Sequence, residues 1–167
     1  FHELAAFTYF GGPVDTVECL TFHELCESLN TGRANFAVMA IENSIAGSIL
    51  PNYFLLQQYH FAIVGELYVP IHLHLAALPG VKLKDIRTVE SHPMAIRQCT
   101  EYLQQLPNIS VRESEDTALS AKKIRDLQLK DVAAIANSQA VERFGLQILE
   151  KRIETHRKNF TRFLLLT

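Results

Sequence analysis

The sequence predicts an α/β protein with helices packed on a mostly parallel sheet, arranged as two lobes with a cleft between them. Three observations carry this expectation. Short runs rich in Val, Ile and Phe alternate with amphipathic runs of helical period, the pattern of strands separated by helices. The segment Ala62 to Leu75 could stay extended for about fourteen residues where five or six is usual, so it can cross from one lobe to another. The closing run, Phe160 to Leu166, can cross back. Lobe 1 is then residues 1–75 plus 157–167, and lobe 2 is residues 76–156.

Each element has its own local signal. The opening "FHELAAFTYFGG" reads as a helix entered from a trimmed N-terminus, since no methionine and no basic leader precede it. Val14 to Cys19 and Phe36 to Ile41 read as strands. Between them Thr21-Phe22-His23-Glu24 has the capping-box spacing, and Leu25 and Leu29 continue an apolar face. Thr88 to Glu90, Val111 to Glu113, Val132 to Ala136 and Leu146 to Leu149 are further strands. The helix predicted over Pro93 to Leu106 spaces Ile96, Cys99, Leu103 and Leu106 on one face, with Pro93 in the first turn, where a missing N–H costs nothing. Asp116 to Leu127 repeats that spacing, and a helix from Ser138 to Phe144 stops at Gly145, a residue suited to a left-handed cap.

Composition narrows the functions. With 48% hydrophobic and 20% charged residues, the chain can bury an ordinary core. A formal charge of -2, from 16 basic and 18 acidic side chains with no basic block, argues against nucleic acid as a partner. The most apolar stretch, Phe61 to Leu78, is interrupted by Glu66, Pro70, His72 and His74 and cannot span a membrane. Cys19, Cys26 and Cys99 form no C-x-x-C pair, so buried thiols in a reducing compartment explain them best. His72 and His74 lack a neighbouring Cys or carboxylate cluster, so they read as a polar strand face and not as metal ligands.

Four places combine an element start with polar residues: Glu42-Asn43-Ser44, Ser91-His92, Asp116-Thr117 and Thr161-Arg162. The first three are expected to offer the N–H groups of helix starts, which favour carboxylates, although the same residue types also cap helices that bind nothing. Convergence of such starts at the strand ends of an open sheet is what points to a ligand. His92 is either a cap or a proton-transfer group. Arg162, flush against a Phe-Leu-Leu-Leu run, either reaches a carboxylate or pairs with a residue such as Glu42.

Taken together, "AIENSIAGSI" at 40–49, "ESHPMAIRQC" at 90–99, "EDTALSAKKI" at 115–124, "AAIANSQAVERFGLQIL" at 133–149 and "NFTRFLLL" at 159–166 resemble the prephenate dehydratase family over the whole chain. The resemblance implies a two-lobed domain like the type II periplasmic binding proteins. It implies decarboxylating dehydration of prephenate to phenylpyruvate in phenylalanine biosynthesis, without metal or organic cofactor, by a cytoplasmic homodimer or homotetramer. The essential hydroxyl of the family falls on Thr161. Arg162, Asn43, Ser44, Ser91 and Thr117 are expected to hold the substrate's carboxylates, with Phe163 also substrate-binding, where the core begins, and His92 as an alternative proton source.

The chain departs from the family pattern in three ways. A first strand and Gly-rich turn are absent, Ala40 stands where many members have Pro, and the regulatory ACT domain is missing, as expected of a catalytic fragment or of a protein without that control. Two rival functions keep the same scaffold: an arogenate dehydratase, and a small-anion binder without turnover.

Overall fold

Most of the expected strands form, but their pairing is mixed and not mostly parallel. The computed structural model describes all of residues 1–167. They divide into two units, Phe1–Ile71 with Lys158–Thr167, and His72–Arg157.

The first unit contains α1 (His2–Phe10), α2 (Phe22–Asn30), β1 (Ala37–Asn43), β2 (Gly47–Ser48), α3 (Leu50–Tyr59), β3 (Ile63–Pro70) and the last strand of the chain, β9 (Phe160–Leu166). Its sheet runs β2-β1-β9-β3 with every pair antiparallel. Side chains alternate across a strand, so β9 feeds two cores. Phe163 packs with Ala5, Ala40 and Val69 and with Leu4 of α1. Leu164 and Leu166 pack with Met39, Ile41 and Cys26, under Leu25 and Leu29 of α2 and Leu55 and Leu56 of α3. The start of α2 follows its sequence signal, since Thr21 Oγ1 accepts from Glu24 N at 3.1 Å. The Glu24 carboxylate reaches one residue further back than a capping box requires and accepts from Leu20 N at 2.9 Å.

The second unit contains β4 (His74–Ala77), β5 (Thr88–Ser91), α4 (Pro93–Gln98), α5 (Thr100–Gln104), β6 (Ser110–Glu113), α6 (Thr117–Asp126), β7 (Val132–Ala136), α7 (Ser138–Arg143) and β8 (Gln147–Glu150). Its sheet runs β6-β5-β7-β4-β8. The β6-β5-β7 part is parallel, because helices connect its strands, while β4 pairs antiparallel with both β7 and β8.

Four departures from the sequence reading have local causes. Val14 to Cys19 forms no strand, since the outer side of β1 carries only the two-residue β2, and Cys19 is half-buried, unlike the buried Cys26 and Cys99. The long strand breaks after Pro70: Ile71 N bonds to Asn159 O at 2.8 Å and Leu73 N to the Glu154 carboxylate at 3.0 Å, outside any ladder. The helix from Pro93 breaks at Cys99 (φ -112°), where the Gln98 carbonyl is diverted to Thr155 N at 2.8 Å. Helix α3 carries no helical-period signal because its apolar residues surround it, with Leu50 and Phe54 exposed and Leu55 and Leu56 packed inward. Gly145, at φ 61°, follows α7 as its sequence position suggests.

Candidate functional site

The residues around Thr161 form one hydrogen-bonded cluster within the first unit. Asn43 ends β1 directly opposite Thr161 in β9. The expected helix start after Asn43 is instead a tight turn into β2, with Gly47 at φ 82°. Asn43 Oδ1 closes that turn by accepting from Ile45 N at 3.0 Å and Ala46 N at 2.9 Å, the local bonding that makes Asn a turn residue. Its Nδ2 donates across to Asn159 Oδ1 at 2.8 Å and Thr161 Oγ1 at 3.0 Å, with Phe160 O at 3.2 Å. Thr161 therefore accepts this bond and keeps its own proton for donation elsewhere.

Ser44 is a clip and not an open binding group. Its N–H donates to Phe160 O at 2.9 Å, its Oγ accepts from Phe160 N at 2.9 Å, and the same hydroxyl donates to Lys158 O at 3.3 Å. Both capacities of the hydroxyl are thereby used. The Glu-Asn-Ser turn fastens the start of β9.

The strand's own period separates Arg162 from Thr161. Consecutive residues face opposite sides of a sheet, so Arg162 cannot share the side of Thr161. Its guanidinium is held by Glu66 on β3, with Nε and Nη2 at 2.9 and 2.5 Å from one carboxylate oxygen. The partner is Glu66 rather than Glu42, although Glu42 lies opposite Arg162 on β1. The Glu66 hydrogen bond holds the arginine pKa above its ordinary value. Phe163 shares the side of Thr161 but is 1% exposed, inside the core and edge-on to the His2 ring at 5.1 Å.

In the second unit, Ser91 is fully buried and its hydroxyl donates to Ile135 O at 2.7 Å, tying β5 to β7. It is not available to a carboxylate. His92 caps α4, its Nδ1 accepting from Met94 N at 3.1 Å, which leaves Nε2 to carry the ring proton of a neutral side chain. Thr117 does open α6, but Asp116 already occupies that helix end, accepting from Ala118 N at 2.7 Å and Leu119 N at 3.1 Å. A carboxylate of the chain itself stands where a ligand carboxylate was expected.

Two groups were missed in the sequence. Asn159, fully buried, has its partner 116 positions away, so only its polarity at a strand start could have flagged it. Glu154 is buried between Leu73 N, His72 Nδ1 at 3.3 Å and Arg152 Nε at 3.4 Å. Burial pushes its pKa up, but those hydrogen bonds outweigh burial and hold it below the usual carboxylate value. His72 and His74 thus belong to a polar cluster: His74 Nε2 lies 2.9 Å from Ser138 Oγ and its Nδ1 accepts from Arg152 N at 3.0 Å. An N–H can only donate, so Nδ1 is bare and the neutral ring donates its Nε2 proton to Ser138. That is the wrong tautomer for activating a serine nucleophile. Burial holds the His74 pKa below its ordinary value.

The described site is thus a threonine hydroxyl held as an acceptor by an asparagine amide at the start of β9. Comparison with known proteins gives the family. The prephenate dehydratase family model matches residues 1–167. The chain is 36% identical over 170 residues to the bifunctional chorismate mutase/prephenate dehydratase of Enterobacter agglomerans, covering 99% of this chain and 44% of that protein. It is 39% identical over 153 residues to arogenate dehydratase 1 of Petunia hybrida, covering 91% of this chain and 36% of that protein. Among solved structures it resembles GqqA, described as a novel type of quorum quenching acylase, with TM-score 0.87, 32% identity, and coverage of 98% of this chain and 59% of that one. It also resembles the prephenate dehydratase of Arthrobacter aurescens in complex with L-Phe, with TM-score 0.81, 28% identity, and coverage of 99% and 56%. This chain belongs to the prephenate dehydratase family. It spans less than half the length of the two curated relatives.

Proposed function

We propose that the chain is a carbon–oxygen lyase that converts prephenate to phenylpyruvate, carbon dioxide and water. The observation that carries this reading is the Thr161 hydroxyl, fixed as an acceptor by Asn43 Nδ2 at 3.0 Å with its proton left to give. In the reaction the ring carboxylate leaves as carbon dioxide, its bonding electrons complete the aromatic ring, and the ring C–O bond breaks. The departing hydroxyl takes up one proton and leaves as water. Aromatisation drives the step, so the protein has mainly to orient the dianion and protonate the leaving group. A threonine hydroxyl is a weak acid, but departing hydroxide is basic enough to draw on it. His92, with its proton on Nε2, is the second proton source in this reading.

The test is to incubate the purified chain with prephenate and, separately, with arogenate. Phenylpyruvate from prephenate with the larger kcat/KM supports the proposal. A larger kcat/KM on arogenate, the substrate in the Petunia relative's name, replaces it with the arogenate reading, and ligand binding without product leaves only a small-anion binder. The acylase description of GqqA gains no support from the Ser138–His74 pair, whose tautomer is wrong for attack. The reading extends to a cytoplasmic homodimer or homotetramer. The unpaired thiols Cys19, Cys26 and Cys99 support a reducing compartment, no helix is long and apolar enough to cross a membrane, and light scattering tests the assembly.

A further inference from the structure

We infer that Asn159 is a positioning residue for this chemistry: it commits the Asn43 amide so that Thr161 receives one N–H and turns its own proton toward the substrate. The inference rests on the dehydratase reading above. Asn159 is 0% exposed and cannot itself touch a substrate. The Asn43 amide cannot flip, because its oxygen is held by two backbone N–H groups, of Ile45 and Ala46. Its nitrogen has two hydrogens and three acceptors in reach: Asn159 Oδ1 at 2.8 Å, Thr161 Oγ1 at 3.0 Å and Phe160 O at 3.2 Å. Phe160 O already accepts from Ser44 N at 2.9 Å. The two shortest bonds therefore take one hydrogen each; without Asn159 Oδ1 the hydrogen it held has only Phe160 O left, and a nitrogen drawn toward that carbonyl lengthens and misaligns its bond to Thr161 Oγ1.

The backbone at 159 is held independently of this side chain. Asn159 O accepts from Ile71 N at 2.8 Å, and the Ser44 clip fixes Phe160 on both its N–H and its carbonyl. Replacing the Asn159 side chain thus removes an acceptor from the Asn43 amide and leaves these backbone bonds in place.

Asn159→Ala and Asn159→Asp, each alone and in a Thr161→Val background, test the inference with prephenate as substrate. Asn159→Ala is expected to lower kcat about 10- to 100-fold, the range for a residue one hydrogen bond behind a functional group, with KM little changed. In the Thr161→Val background the same change is expected to have no further effect on residual kcat. Asn159→Asp keeps an acceptor but places a carboxylate near the departing hydroxide. Its kcat is expected to recover as pH falls and the buried carboxyl becomes neutral, a pH profile that the wild type lacks.

Wild-type kcat in folded Asn159→Ala overturns the positioning role alone. So does a loss of the same size with and without the Thr161 hydroxyl, or failure of both Asn159 variants to fold, since each makes the residue structural. A wild-type chain without turnover overturns the dehydratase reading and the positioning role with it.

Discussion

Replacing Thr161 by Val removes one oxygen and leaves almost everything else in place. The β-branched shape that suits a strand is kept, and the β9 pairings to Asn43 and Val69 run through the backbone. The change in stability is therefore small. Asn43 Nδ2 loses an acceptor at 3.0 Å but keeps Asn159 Oδ1 and Phe160 O, so the cost is that of one partly replaced hydrogen bond, about 1 kcal/mol. For a chain of this size that lowers Tm by about 2–4 °C. The chemical cost is larger. If the hydroxyl meets the leaving group, its loss lowers kcat about 10²- to 10³-fold, as for removal of one donor from a transition-state charge. Thr161→Ser keeps the donor and is expected to retain most of the turnover. The assay follows phenylpyruvate absorbance at saturating prephenate, beside urea unfolding of each variant. Wild-type kcat in Thr161→Val refutes the donor role, and equal losses in Val and Ser assign Thr161 to shape and not to proton donation.

Two further substitutions probe what the sheet separates and what its partner unit buries. Arg162→Gln is expected to leave KM for prephenate within about threefold, because its guanidinium faces away from Thr161 and is held by Glu66; a KM raised about 100-fold, the worth of a lost charged hydrogen bond, would return Arg162 to the substrate. His74 gives a pH signature of stability. Its folded pKa is lowered by burial, so just below the ordinary value of about 6.5 the unfolded chain binds more protons than the folded one, and stability falls as pH drops through that window. His74→Gln is expected to flatten the urea-derived stability just below about pH 6.5 relative to wild type; an unchanged slope excludes His74 as its source.

What the sequence revealed depended on how far each signal reached along the chain. Strand β9 was legible at its full length because a run of Phe and Leu at a strand's length announces itself. The cap at Thr21 and the stop at Gly145 were legible because each acts over four residues or fewer. The pairing of the strands was not, since β4 joins β7 and β8 from about 60 and 70 positions away, and nothing in its own residues states a direction. Similarly, Asn43 reads as a helix start because Asn, Ser and Gly serve both turns and caps. Only the opposite strand decides between them. The internal bonds at Ser91 and Thr117 were illegible for a related reason: the groups they meet, Ile135 O and the Asp116 cap, are not announced by a polar residue at an element start.

The Thr-Arg-Phe triplet shows why contiguity in sequence is a poor guide to contiguity in a site. A strand distributes three successive residues to alternating sides, so the triplet performs three separate tasks. Thr161 offers a hydroxyl on one side, Arg162 secures Glu66 on the other, and Phe163 returns to the first side as a core anchor. The Thr161 hydroxyl is held instead by Asn43, directly across the sheet, whose amide also donates to Asn159, the residue just before β9. The polar turn after β1 closes this arrangement, because one residue of it orients the hydroxyl while the next clips the strand that carries it. Conservative change at Arg162 and conservative change at Asn159 should therefore differ in kind: the first alters an ion pair at a sheet surface, the second alters where a proton points.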